Sequence, residues 1–161
     1  MYVFDGVLDP DLLQKFKIKI EDHFMQMVSK NYNKSDFYPT RNIMMNSDDL
    51  VVKLTKDFLE SKLKIKLNCY QFELQTWPVE IFSSLHKHDT GIRSRGDYNS
   101  ILYLNDNFDG GEFYTENGIT IKPKTNRLIL FDGKNINHGV KTVRKNHRYT
   151  MIFWWENTQF Y

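Results

Sequence analysis

LNCYQFELQTW, residues 67–77, is the stretch on which the reading of the fold turns. Tyr70, Phe72, Leu74 and Thr76 alternate with Gln71, Glu73, Gln75 and Trp77, which is the period of two of a strand with unlike faces. Further strand candidates follow at 80–86, 99–104, 111–115, 119–122, 127–131, 137–143 and 148–155. Asp109-Gly110-Gly111 and Asn117-Gly118 separate some of them as tight turns, the second of the hairpin type with positive φ at both central residues.

Upstream of residue 67 the period is helical. Asp9 before Pro10 is an N-cap and first-turn signal, and Leu12, Leu13, Phe16, Ile20, Phe24 and Val28 recur at three- and four-residue spacing. Residues 30–46 lack a period and carry Asn, Ser and Pro, so they read as a surface loop. Ser47 is placed to cap a second helix, with Asp48 and Asp49 at the positive end of its dipole and Leu50, Val51, Leu54, Phe58 and Leu63 as its apolar stripe. Two helices followed by short strands predict a mainly β fold, a double-stranded β-helix (jelly roll) with two N-terminal α-helices packed on one sheet.

The 161 residues, 40% apolar and 26% charged, are the length and composition of one folded domain, with 1–66 as helical support and 67–161 as the β core. A net charge of +2 gives no footprint for nucleic acid, and the lysines of both helices read as solvated faces. No apolar run approaches the roughly 20 residues of a spanning helix, and no signal peptide is visible at the start MYVFDGVLDP. One cysteine, Cys69, excludes an internal disulfide framework and suits a reducing, cytoplasmic setting. A metal in this chain must therefore be held by His and carboxylate groups.

His86 and His88 stand beside Asp89 at the end of one strand candidate, His138 lies in the later INHGV, and Arg148 follows ten residues on. Each of these alone is an ordinary surface or strand residue; their spacing is the evidence. Two imidazoles and one carboxylate converging on one face of a barrel leave open coordination positions, the ligand set of non-haem Fe(II) oxygenases.

The segment Tyr70–Trp155 resembles the 2-oxoglutarate and Fe(II)-dependent oxygenase superfamily, in particular its prolyl-4-hydroxylase-like branch. The matching pieces are HKHD at 86–89, SILYLND at 100–106, GGEFYT at 110–115, NRLILFD at 126–132, NHGV at 137–140 and HRYTMIFWW at 147–155, and FDGVLDPDLLQKF resembles the branch's usual opening. The family's first pair is usually His-x-Asp, whereas here the position two after His86 is His88 and Asp89 comes one later. In one reading an extra residue bulges the strand end, so that His86 and Asp89 both face the metal. In the other, plain alternation puts His86 and His88 on one face, with Asp89 behind them as an orienting acceptor. The first is preferred, because a carboxylate suits hard Fe(II) and balances its charge; His86 and His138 are ligands under both.

The resemblance implies that His86, Asp89 and His138 hold Fe(II), with His88 competing for the place of Asp89. It implies that Arg148 clamps the distal carboxylate of 2-oxoglutarate in a bidentate pair. Thr150 and Tyr103 add hydroxyls to that co-substrate, and Asn99 and Trp77 complete its pocket. The implied reaction couples decarboxylation of 2-oxoglutarate by O2 to hydroxylation of a substrate C–H bond, with ascorbate as an optional reductant. A peptidyl proline is the family-level substrate, other peptides and small molecules being open, and nucleic acid and membrane are not expected partners. The loop GIRSRGDYN at 91–99, with Arg93 and Arg95, reads as a rim over the site, and a chain of this length has no room for an appended recruiting domain. Two other classes stay open: a jelly-roll binding or structural protein without iron chemistry, and a cupin-like metalloenzyme with three histidines and no oxoacid.

Overall fold

Antiparallel pairing of Leu67–Trp77 (β3) with Arg148–Asn157 (β12) is the spine of the molecule, running from Arg148 opposite Trp77 to Asn157 opposite Leu67. The structure is a computed structural model, and it describes residues 1–29, 41–88 and 97–158. In chain order the other elements are β1 (Tyr2–Asp5), α1 (Pro10–Ser29), β2 (Arg41–Met45), α2 (Leu50–Leu63), β4 (Ser83–His86), β5 (Tyr98–Tyr103), β6 (Asp109–Gly110), β7 (Phe113–Thr115), β8 (Thr120–Ile121), β9 (Arg127–Phe131), β10 (His138–Val140) and β11 (Val143–Lys145). A six-stranded sheet has the order β1-β9-β5-β12-β3-β2, and a four-stranded sheet the order β4-β10-β7-β8. This is the mainly β, jelly-roll architecture with two helices on one sheet that the strand spacing predicts.

Along β12 the side chains divide by parity. Tyr149, Met151, Phe153 and Trp155 join Phe72 and Leu74 of β3 under the helices, against Leu13, Phe16 and Ile20 of α1 and Val51, Val52 and Leu59 of α2. Ile152 and Trp154 face the other way, toward the second sheet, with Trp77, Ile101, Tyr103, Phe113 and Phe131. The large sheet is thus covered on both faces, which is why β12 is buried from Arg148 through Trp155. A register shift between Trp154 and Trp155, which face Gln71 and Cys69, leaves Tyr70 as an extra residue in β3 and moves its ring to the inter-sheet side.

Several expectations are corrected. The segment read as a loop over 30–46 ends in a strand, β2, which forms one edge of the large sheet beside β3; residues 30–40 lie outside the described residues. Its RNIMM sequence makes a single ladder, so it needs no alternating pattern of its own. β1 is likewise an edge strand, beside β9, so the first 66 residues supply two strands as well as two helices. The cap of α2 is Asp49, whose side chain accepts from the Val51 N–H, because Asn46 closes a turn on Asp48 and Asp49 just before it and takes Ser47 out of the capping position. The buried face of α2 is Val51, Val52, Thr55 and Leu59, while Leu50 and Leu54 are exposed. Thr55 hid that face, although its hydroxyl is satisfied by the Val51 carbonyl at 2.8 Å.

The Asn117-Gly118 turn also differs. Gly118 has φ +87° but Asn117 is not in the left-handed region, and the Gly118 N–H donates to the Thr115 carbonyl. The Thr115 N–H then donates to the Ile119 carbonyl, so three residues, not two, lie between this closing pair, with the left-handed glycine last. Between 137 and 143 the predicted strand is two short ones, because β10 pairs with β4 and β7 whereas β11 pairs with β6. Among the described residues no helix is long and apolar enough to cross a membrane.

At the start of the chain Asp5 receives Arg127 Nε and Nη2 at 2.7 and 3.0 Å and Lys124 Nζ at 2.8 Å. The hydrogen bond from Arg127, then that from Lys124, holds the Asp5 carboxyl well below the usual carboxylate range. A depressed folded-state pKa stabilises above the unfolded value of about 4 and is lost as the pH falls through the folded one. The pair is partly exposed, so Asp5→Asn should cost at most about 1 kcal/mol at neutral pH. Denaturant titrations of the two proteins should begin to converge as the pH falls below about 4; a gap that does not shrink on further acidification would show that the ion pair is not the cause.

Candidate functional site

The two sheets enclose a cavity of about 660 Å³ whose wall includes His86, His88, His138, Asn99, Trp77 and Arg148. Strand register brings the first two elements of it together. β10 lies beside β4 with His138 directly opposite His86, and the rings stand 4.5 Å apart between centroids. His88, just past the end of β4, puts its ring 4.7 Å from that of His138 and 5.4 Å from that of His86. One ligand nitrogen from each of the three rings lies within 4.8 Å of the others. The irregularity in this pairing falls between Ser83 and His86, upstream of the histidines, where three steps on β4 match two on β10. His86 and His88, two residues apart, therefore share the cavity side. Asp89, Arg93 and Arg95 lie outside the described residues.

The hydrogen bonds of the rings decide what they offer. His138 Nδ1 meets the Ile136 carbonyl at 2.8 Å, His86 Nδ1 the Ser84 carbonyl at 2.9 Å, and His88 Nδ1 the Asn99 Oδ1 at 2.8 Å. A carbonyl oxygen has no proton to give, so in each ring Nδ1 carries the hydrogen and Nε2 the lone pair. His138 is 4% exposed and is packed between the rings of Phe131 and Phe113 at 4.5 and 5.6 Å. Burial pushes its pKa down to about 3, against the pull of the Ile136 carbonyl and with smaller help from His88 and His86. It is a neutral imidazole at physiological pH, the form that ligates a metal.

Arg148 lines the same cavity. It is fully buried, and among the described residues none of its three side-chain nitrogens has a hydrogen-bond partner. Burial lowers its pKa, with the Tyr103 phenol acting in the other direction. What surrounds it is aromatic: the guanidinium carbon lies 5.1 Å from the Trp77 ring and 5.0 Å from the Tyr103 ring. The hydroxyls of Tyr103 and Thr150, which face each other across β5 and β12, are also buried and unpartnered. Tyr103 and Thr150 are not part of the cavity wall itself. A cation and two hydroxyls, unsatisfied among the described residues, are the kind of donor set that an anionic acceptor would satisfy.

Gln75 is a part of the site that sequence reasoning missed. It lines the cavity, accepts from the Trp77 indole N–H at 3.2 Å and donates to Glu73 Oε2 at 3.2 Å, so the polar row of β3 props the indole against Arg148. Alternation marked this row as the less apolar face, and only the second sheet makes it an inner wall. Phe113 and Phe131 were legible as strand residues but not as the walls around His138.

A double-stranded β-helix thus brings an imidazole cluster and a buried arginine into the wall of one cavity. Residues 80–156, a little under half of the chain, match the family model of the 2OG-Fe(II) oxygenase superfamily. Within it the likeness runs to prolyl hydroxylases. Prolyl 3-hydroxylase 2 of Mus musculus is 45% identical over 65 residues, which are 36% of this chain and 9% of that protein. The chain thus matches only a small part of the curated relatives' length. The structure of a Trichoplax adhaerens prolyl hydroxylase in complex with a hypoxia inducible factor oxygen degradation domain peptide superposes with a TM-score of 0.74 at 16% identity, covering 97% of this chain and 83% of that one. The viral collagen prolyl hydroxylase of Paramecium Bursaria Chlorella virus-1, in its 2OG complex, gives 0.69 at 18% identity, covering 96% and 93%. At these identities the two structures speak for the fold.

Proposed function

We propose that the protein is a 2-oxoglutarate- and Fe(II)-dependent dioxygenase that hydroxylates a substrate C–H bond, and that the substrate is a peptidyl proline. The observation that carries the reading is Arg148, a fully buried guanidinium without an acceptor among the described residues, in the same cavity as three imidazoles. A protein does not leave such a cation uncompensated unless a ligand completes it. The donor set fits both groups: Nε2 lone pairs suit a divalent ion, and Arg148 with Tyr103 and Thr150 suits a carboxylate.

His86 and His138, with one group of the His88–Asp89 pair, would hold the iron, and their Nδ1 hydrogen bonds fix the tautomer and the ring angles in advance. Arg148 would pair with the carboxylate of 2-oxoglutarate remote from the metal, Tyr103 and Thr150 would donate to it, and Trp77 would cover it. Phe113, Phe131, Ile101 and Ile152 give the cavity an apolar wall. Iron chelated by the oxoacid supplies the oxidising chemistry, with O2 as oxidant and ascorbate as accessory reductant. At the mouth, Phe82 and Leu85 are 58% and 41% exposed, and they offer an apolar rim to a peptide. The prolyl hydroxylase relatives support that substrate class.

The test is twofold. Anaerobic protein with Fe(II) should develop a visible absorption band on addition of 2-oxoglutarate, and in air it should release succinate in step with hydroxylation of a proline-containing peptide. Metal binding without the band and without succinate would leave a binding protein. The cluster of three imidazoles favours one second reading, a three-histidine metalloenzyme that uses no oxoacid; succinate release that depends on Arg148 excludes it.

A further inference from the structure

We infer that His88 is itself a metal ligand and that Asn99, seated against the Gly133 backbone, is the positioning residue that makes it one. The inference rests on the proposed metal chemistry and names the ligand set that the His88–Asp89 pair leaves open.

A histidine that merely follows a strand end has no reason to be built in, and His88 is built in at both its backbone and its ring. Its N–H donates to the Gly133 carbonyl at 2.8 Å, which ties the turn after β4 to the turn after β9. Its Nδ1 donates to Asn99 Oδ1 at 2.8 Å. Asn99 is 1% exposed and sits mid-sheet on β5, opposite Phe131 of β9 on one side and Trp154 of β12 on the other. Gly133 closes the arrangement: a Cβ there would stand 2.1 Å from Asn99 Oδ1 and 2.6 Å from His88 Nδ1, so any larger residue would drive the pair apart. The backbone bond to Gly133 and the ring bond to Asn99 thus fix the place of His88, where one of its ring nitrogens lies within 4.8 Å of one from His86 and one from His138.

A ligand set of three imidazoles is neutral, so a divalent ion in it keeps its full double charge, where one carboxylate would reduce it by one unit. The metal should then bind added anions more tightly than a site with a carboxylate, and borderline ions should be favoured over hard ones. Asn99 acts through His88: as an acceptor at Nδ1 it sets the tautomer and raises the ligand's basicity, a role that a carboxylate at 99 would also fill.

The full chain would be titrated with Co(II) calorimetrically, loaded with Cu(II) for electron paramagnetic resonance, and the Co(II) form titrated with azide. His88→Ala and Asn99→Leu should weaken Co(II) about 10–100-fold, whereas Asn99→Asp should hold it at least as tightly as the parent. Asp89→Asn should leave the affinity unchanged. The Cu(II) spectrum should show nitrogen couplings from three imidazoles in the parent and two in His88→Ala, and His88→Asp should bind azide more weakly than the parent. Should Asn99→Leu fail to fold, the Asn99→Asp and Asp89→Asn arms still decide. Loss of metal in Asp89→Asn equal to that in His88→Ala, or two couplings in the parent, overturns the inference while leaving an oxoacid-dependent oxygenase intact. Three couplings with no 2-oxoglutarate-dependent succinate would uphold the inference and remove the oxygenase reading.

Discussion

Replacing Arg148 with methionine should abolish the thermal stabilisation by 2-oxoglutarate without lowering the melting temperature of the unliganded protein. In ordinary cases removal of a fully buried side chain destabilises, but here the side chain is a cation whose nitrogens have no acceptor among the described residues. Its desolvation costs several kcal/mol. The faces of Trp77 and Tyr103 return about 2 kcal/mol or somewhat more. Methionine keeps most of the volume, fills irregular space and carries no charge to desolvate. In the parent, ligand at a hundred times its dissociation constant adds about 2.7 kcal/mol, which is on the order of 5–10 °C for a domain of this size. Scanning calorimetry on metal-loaded protein reads both quantities. A full 2-oxoglutarate shift in Arg148→Met would show that the oxoacid binds elsewhere, and a large loss of unliganded stability would show that the guanidinium has a compensating partner.

The largest loss of stability from a single truncation should come at Trp155. Its side chain is fully buried between the large sheet and the helices, stacks on Phe153 at 5.4 Å and donates its indole N–H to Ser100 Oγ at 2.8 Å. Trp155→Ala removes the largest buried side chain of the core, opens a cavity and strands the serine hydroxyl. About 3–5 kcal/mol should be lost, a large fraction of the stability of an ordinary domain. Trp155→Phe, which keeps the stacking and leaves only the hydroxyl unpaired, should lose clearly less. Equal losses in urea denaturation would mean that the hydrogen bond, and not the buried volume, dominates.

The neighbouring Trp154 shows how far a residue pattern reaches. Alternation says that 154 and 155 point to opposite faces of one strand, and they do, but both are buried, because helices cover one face and a second sheet the other. Patterns of this local kind made α1, β3, β9 and β12 legible. They failed where pairing partners decide the outcome. β1 and β2 are short edge strands that borrow their order from β9 and β3. The apolar face of α2 runs through a threonine whose hydroxyl the helix itself satisfies.

The candidate site divides the same way. His86, His138 and Arg148 stand out by residue type and spacing, whereas Tyr103 and Thr150, and the part given to Arg148, come from the resemblance of their motifs to the oxygenase superfamily. That Gln75 props Trp77, that Asn99 grips His88 and that Gly133 leaves room for both could not be read in this way.

By itself, then, the order of residues determined which segments alternate, where the chain turns from helix to strand, and which titratable groups exist to meet a metal and an anion. Tertiary structure alone decided which polar row becomes an inner wall, which ring nitrogen is left with its lone pair, and that Arg148 is buried without a partner among the described residues. Local propensity acts over a few residues. Register, enclosure and desolvation exist only once strands from both ends of the chain lie side by side.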